Sequence, residues 1–309
     1  MSDATGIPSA EIAPKRRTAL ANLLSRLWKE KPLGTVSGII ILILIFVAIF
    51  ADVLAPYGFL EVHLADRLQG SSARYLLGTD HLGRDYLSRL IYGARLSIVV
   101  GLAATSLNVV VAALIGGTSG FLGGKFDLAV QRFVDAWMCF PGLLILLTIM
   151  SLVGRGIPQI IVVLGVTGGI GGSRVVRGAV IGVKENVYFQ ATESIGSSKW
   201  RAFIRHVLPN IMPTVIIIFS INIGGVIISE ASLSFLGFGL PPSVPSLGGM
   251  LSREGREFME VAPRLALLPG LCLTVVVYCL NMFGDALRDL LDPRLRGGGS
   301  LGAGAAGSV

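Results

Sequence analysis

Six long apolar stretches, near residues 33–55, 96–115, 134–153, 157–172, 213–236 and 265–283, most constrain what this chain can fold into. A bilayer core of about 30 Å asks for roughly 20 apolar residues per helix, and each stretch comes near that length. The run IIILILIFVAIF is apolar on every face, unlike the alternating segments of a membrane β-barrel. Buried helices of a soluble protein are the alternative. With 52% hydrophobic and only 15% charged residues over 309 positions, the chain has too little charge to clothe such a fold. The expected fold class is all-α, a polytopic membrane protein with six transmembrane helices. The fourth stretch is short and interrupted by Gly168, Gly169, Gly171 and Gly172. Those glycines suit close packing between helices, so this helix is expected to run past them.

Cytoplasmic loops carry an excess of lysine and arginine. With the N-terminus inside, seventeen of the 26 basic residues are cytoplasmic: six from Lys15 to Lys31, Lys125 and Arg132, six from Arg174 to Arg205, and Arg288, Arg294 and Arg296. Both termini are then predicted on the cytoplasmic side of the plasma (inner) membrane. The net charge of +7 needs no nucleic acid, because basic loops beside anionic membrane lipid account for it. The first apolar run exceeds 20 residues, too long for a cleaved secretory signal, and reads as a retained anchor. Before it, Leu20, Leu23, Leu24, Leu27 and Trp28 recur at helical spacing among Arg16, Arg17, Arg26 and Lys29, the pattern of a helix lying on the membrane. Four parts follow: a cytoplasmic arm at 1–33, the first helix with an extracytoplasmic segment at 34–94, a five-helix core at 95–290, and a flexible Gly/Ala/Ser tail at 291–309.

Signs of chemistry are few. Cys272 and Cys279 lie seven apart on one expected helix, about 10 Å of rise and too far to bridge. His63, His81 and His206 lack metal-ligand spacing, so no metal site is expected. The nearest thing to a phosphate loop, SGFLGGKF at residues 119–126, lacks the leading glycine and has Phe126 where Ser or Thr should hold magnesium. No His-Glu-x-x-His occurs. The chain reads as a non-enzyme with no cofactor of its own.

Between the fourth and fifth stretches stands YFQATESIGSSKWRAFIRHVLPN, residues 188–210, polar, basic and on the cytoplasmic side by the charge rule. Residues 185–197 can form a short helix and Gly196 permits a sharp turn. Trp200, Phe203, Ile204 and Val207 then give a second helix an apolar face, ended by Pro209. Two short helices at an angle form a knob suited to docking. An amphipathic loop resting on lipid is the alternative.

Within that segment Gln190, Ala191, Thr192, Gly196, Ile204, Leu208 and Pro209 resemble the Glu-Ala-Ala…Gly…Ile-x-Leu-Pro signature of ABC importer permeases. Three further runs are similar to the C-type permease subunit of dipeptide and oligopeptide importers: LGTDHLGRDYLSRLIYGARLSIVVG at 77–101, EASLSFLGFGLPP at 230–242 and FGDALRDLLDPRLR at 283–296. Nickel and glutathione importers share them. The likeness spans roughly residues 25–296. It implies one of two homologous membrane subunits forming half of a translocation path, with two separate ATP-binding subunits carrying ATP and Mg²⁺, and an extracytoplasmic substrate-binding protein. It also implies that residues 185–210 are the coupling element seated in an ATPase cleft. The family's glutamate is Gln190 here and its second alanine Thr192, so an ion pair from that side chain is lost while its hydrogen-bonding reach is kept.

Candidate pathway residues are Asn108, Asn222, Glu230 and Asn281. Intramembrane charge is costly and tends to be functional, although interhelical hydrogen bonds explain polar amides equally well. Asp135, three residues after Arg132, reads as a structural pair. The outer segments 56–93 and 237–264 are candidate contacts for a binding protein, their charges read as solvated. An ion-coupled secondary transporter or channel is the alternative function. Mid-membrane charge pairs and inverted repeats would mark it, and neither is evident.

Overall fold

The computed structural model describes residues 27–187, 189 and 198–291. The tail beyond Leu291 and most of the surface helix expected at 18–29 lie outside the described residues. Seven main helices occur among them: α1 Pro32–Ile49, α2 Tyr86–Leu122, α3 Gly124–Met138, α4 Gly142–Val153, α5 Ile157–Lys184, α6 Leu208–Phe235 and α7 Arg264–Leu291. Pro32 occupies the first turn of α1, where its missing N–H costs nothing. Asp85 caps α2, its carboxylate accepting from the Ser88 N–H at 2.8 Å. At 37 residues α2 is about 55 Å long, more than a bilayer core requires. Gly123, at φ 66°, ends it and turns the chain into α3.

The third stretch, expected as one straight span over 134–153, is broken. Helices α3 and α4 meet at 89°, and Pro141 stands at the break. Its ring removes an N–H and forces Phe140 away from helical geometry, so one helix cannot continue through it. The fourth stretch is longer than its apolar part, since α5 continues to Lys184.

Among the described residues five helices are long and apolar enough to cross a membrane, and the bent α3–α4 pair is a further candidate. Two contacts decide how the pair counts. Lys31, just before α1, donates to Asp289 near the end of α7 at 2.6 Å, so the start of α1 and the end of α7 sit on one face, here called the terminal face. Lys184 Nζ, at the end of α5, donates to the Phe121 carbonyl at the end of α2, at 2.7 Å. Helices α2 and α5 therefore run the same way, and only α3–α4 can return the chain between them. Counting the bent pair as one span, the described residues hold six candidate crossings.

The most extensive packing joins α2 to α5. It is made possible by residues that have no side chain. A Cβ on Gly116 would strike the Ser173 carbonyl oxygen, and one on Gly120 would lie 3.0 Å from that of Arg177. From the other side, a Cβ on Gly169 would lie 2.7 Å from the Asn108 carbonyl oxygen, and one on Gly165 as close to Leu107. Small residues of this kind let helix backbones meet where lipid supplies no hydrophobic drive. Two apolar clusters flank the contact. One, around Val100, Ala104, Met150, Ile160 and Leu233, lies away from the terminal face. The other, around Val109, Ala112, Val176, Val180, Val207 and Ile211, leads towards it.

Gly116→Leu is therefore expected to lower stability by about 1–3 kcal/mol or more through overpacking. Thermal unfolding of the purified protein in detergent should show the loss, and Gly171→Leu should not, because no atom lies within 4 Å of a Cβ there.

Candidate functional site

The terminal face carries what is described of the signature segment. Ile204, Leu208 and Pro209 are described, whereas Gln190, Ala191, Thr192 and Gly196 lie outside the described residues. The helix expected to stop at Pro209 continues instead. Lys199–Ala202, a π-helical turn at Phe203–Val207 and α6 form one unbroken rod. A proline ring collides with the carbonyl four residues back in a regular helix. The widened turn, in which the Leu208 N–H donates to the Phe203 carbonyl, lets Pro209 sit in the first turn of α6.

One side of this rod is core and the other is bare. Ala202, Val207 and Ile211 are buried, with Leu208 partly buried against them. Trp200 is 71% exposed and Ile204 44%, beside exposed Lys199, Arg201 and Arg205. Before residues 190–197, Val187 is 81% exposed while Phe189 is buried. The glycine-rich SGFLGGKF run proves to be the α2–α3 corner. Ser119 Oγ donates to the Asp127 carboxylate, and Arg177 grips that carboxylate with two hydrogen bonds, both 2.6 Å. Asp135 accepts from Arg174 of α5 and pairs with Arg132 at 3.6 Å, so the structural pair read from spacing is a triad with a longer-range member.

Within the membrane region, two adjoining clefts of about 300 and 380 Å³ share Asn108, Trp137, Ile145, Thr167, Gly168 and Asn222. Asn108 is buried, its Oδ1 has no hydrogen-bond partner among the described residues, and its amide nitrogen lies where a Gly168 side chain would stand. Among the described residues no charged side chain lines either cleft. Of the four candidate pathway residues, Asn108 and Asn222 come together here. Glu230 stands apart, fully buried between α6 and α2, accepting from Ser234 Oγ at 2.7 Å and from Ser97 Oγ at 3.3 Å. Asn281 of α7 packs against Gly224 of α6, whose missing side chain makes room for its amide.

Opposite the terminal face, charges expected to be solvated are buried. Arg84 joins Asp80 at 2.6 Å and Glu254 at 2.9 Å, and Arg89 joins the same Glu254 oxygen at 2.8 Å and Asp80 at 3.4 Å. All four side chains are at most 7% exposed. Burial pushes the Glu254 carboxyl above the ordinary glutamate range, with the Arg89 and Arg84 guanidiniums pulling the other way. Gly83, at φ 76°, makes the loop possible, since a side chain there would enter the His63 carbonyl. Sequence reading missed the burial because Glu254 is 170 residues from Arg84. Asp80, His81 and Glu254 also place ligand-type atoms within 4.8 Å of one another. The two guanidiniums already neutralise those carboxylates, and an added cation would face both.

Comparison with known proteins fits this geometry. The family model described as binding-protein-dependent transport system inner membrane component matches residues 109–297. The chain belongs to this family of inner-membrane permeases. The N-terminal transmembrane domain of oligopeptide transport permease C matches residues 24–70. The glutathione transport system permease protein GsiD of Pectobacterium atrosepticum is 34% identical over 272 residues, covering 88% of this permease and 90% of the relative. The dipeptide transport system permease protein DppC of Alkalihalophilus pseudofirmus is 34% identical over 268 residues, covering 87% and 88%. In fold, the permease resembles a chain of the MetNI methionine ABC transporter in inward-facing conformations, with a TM-score of 0.54 and 16% identity, covering 66% of this chain and 96% of that one.

Removing one member of the buried charge network strands the others. Glu254→Leu should cost about 3–5 kcal/mol, read as a fall in the detergent unfolding midpoint. Exchange of the exposed Arg74, paired to Asp66 at 3.3 Å with 60% of its side chain exposed, should change it little.

Proposed function

We propose that this permease is one of two homologous membrane subunits of an importer for dipeptides or short oligopeptides, driven by two separate ATP-binding subunits. Its terminal face is cytoplasmic, with both chain ends inside the cell. The opposite face receives cargo from an extracytoplasmic binding protein. The chain itself hydrolyses nothing and holds no cofactor, because ATP and Mg²⁺ belong to the ATPases. Glutathione and dipeptides, named for its relatives, point to a substrate with peptide bonds.

The observation that carries the reading is the exposure of Val187, Trp200 and Ile204 on either side of residues 190–197, with exposed Lys199, Arg201 and Arg205 beside the last two. An exposed tryptophan with aliphatic side chains and basic neighbours suits a protein partner. Residues 190–197, with the signature residues Gln190, Ala191, Thr192 and Gly196, belong to the same docking element. The neutral cleft at Asn108 and Asn222 is this chain's half of the path. A second permease subunit must cover its open side, since lipid tails would leave those amides unsatisfied. Glu230 and Asn281 act at the helix contacts beside it.

Three outcomes test this. Trp200→Asp together with Val187→Asp should abolish copurification of the ATPase subunits while the protein still inserts into membranes. Survival of copurification would remove the docking role. Membrane-impermeant thiol reagents should label Trp200→Cys only after the cytoplasmic side is opened, and labelling of intact cells would invert the topology. Gln190→Glu should leave assembly and transport at wild-type levels.

A further inference from the structure

The segment assigned to ATPase docking is held at both of its ends by one side chain. Phe121 lies in the last turn of α2, and its ring meets Phe189 edge-on with centroids 6.3 Å apart. It also meets Phe203 at 5.1 Å. Phe189 precedes residues 190–197 and Phe203 follows them, so both flanks of the docking element close on the same ring. The exposed Trp200 stacks on Phe203 at 6.2 Å and 23°, linking the bare surface to this cluster. Lys184 of α5 sits 5.6 Å over the Phe121 ring while donating to the carbonyl of the same residue. One residue thus joins the docking flanks, the end of α2 and the end of α5.

Behind the rings the packing is continuous. Phe189, Ala202 and Val207 share an apolar cluster with Val109 and Ala112 of α2 and with Val176 and Val180 of α5. Val109 adjoins Asn108 in the cleft. Helices α2 and α5 have little freedom to move apart, because their backbones touch at Gly116 and Gly120 and the two hydrogen bonds from Arg177 tie α5 to Asp127 of α3. Aromatic pairs favour a few tilted and edge-on arrangements, and close-packed cores pass displacement on as discrete shifts.

Resting on the function proposed above, we infer that Phe121 is the positioning residue that passes movement of the ATPase-docked segment into the α2–α5 pair, and so to the cleft at Asn108. Phe121 does not line the cleft. Its role is to convert movement of a surface segment into movement of a helix pair.

The test uses the complete transporter in liposomes, with uptake of a labelled dipeptide and ATP hydrolysis measured together. In Phe121→Ala, the ATPase subunits should still copurify and hydrolyse ATP, while dipeptide taken up per ATP falls about tenfold. Phe121→Tyr should restore the ratio, and Phe121→Leu, which keeps apolar bulk without the ring, should fall between. An unchanged ratio in both Ala and Leu variants overturns the inference. Loss of assembly in both variants assigns Phe121 to folding alone and overturns it equally. A wild-type chain that copurifies with no ATPase would instead sink the importer reading, independently of Phe121.

Discussion

Where α2 meets α5, two backbones lie closer than any pair of side chains would allow, and the rest of the molecule is arranged around that approach. In hydrocarbon every backbone polar group must be satisfied within its own helix, and burying apolar surface gives no advantage over lipid. What remains to hold helices together is close fit. Gly116 and Gly120 facing α5, and Gly165 and Gly169 facing α2, provide it. The contact fixes the two helices in one direction, and that leaves the bent α3–α4 pair as the return crossing.

Each end of this helix pair is fastened by different chemistry. Away from the terminal face, Arg84 and Arg89 are buried with Asp80 and Glu254, fixing the start of α2 to the turn before α7. Such a network adds little net stability over an apolar core, but it is intolerant of losing any one member. At the terminal face the fastening is aromatic, through Phe121, Phe189 and Phe203. Ring contacts shift with less penalty than desolvated charges. The neutral cleft lies between the firm end and the compliant one.

Much of this was legible in the residues. The apolar stretches gave the class and five of the six crossings nearly by inspection, because lipid imposes a simple rule on length and polarity. The polar interruption at 188–210 stood out for the same reason. Less legible was anything requiring a partner far along the chain. The charges of residues 80–89 looked solvated until Glu254 was placed beside them. Phe121 looked like one more apolar residue until two rings flanking another segment closed on it. Pro209 was expected to end a helix, since the sequence does not reveal that a π turn can absorb it. Pro141 carried a signal that went unused: a proline with an aromatic before it, inside an apolar run, is a place for a span to break.

The amino-acid sequence by itself determined that the chain is helical, lies in a membrane and belongs with importer permeases. Those properties follow from composition, from the length of its apolar runs and from short local motifs, all of which act through near neighbours. Only the tertiary structure decided which helices touch, which charges are buried, that Asn108 and Asn222 share a cleft while Glu230 and Asn281 stand apart from it, and that Phe121 joins Phe189 and Phe203, on either side of residues 190–197, to the helix pair. Those are matters of distance between residues tens to hundreds of positions apart, and such distances are set by packing.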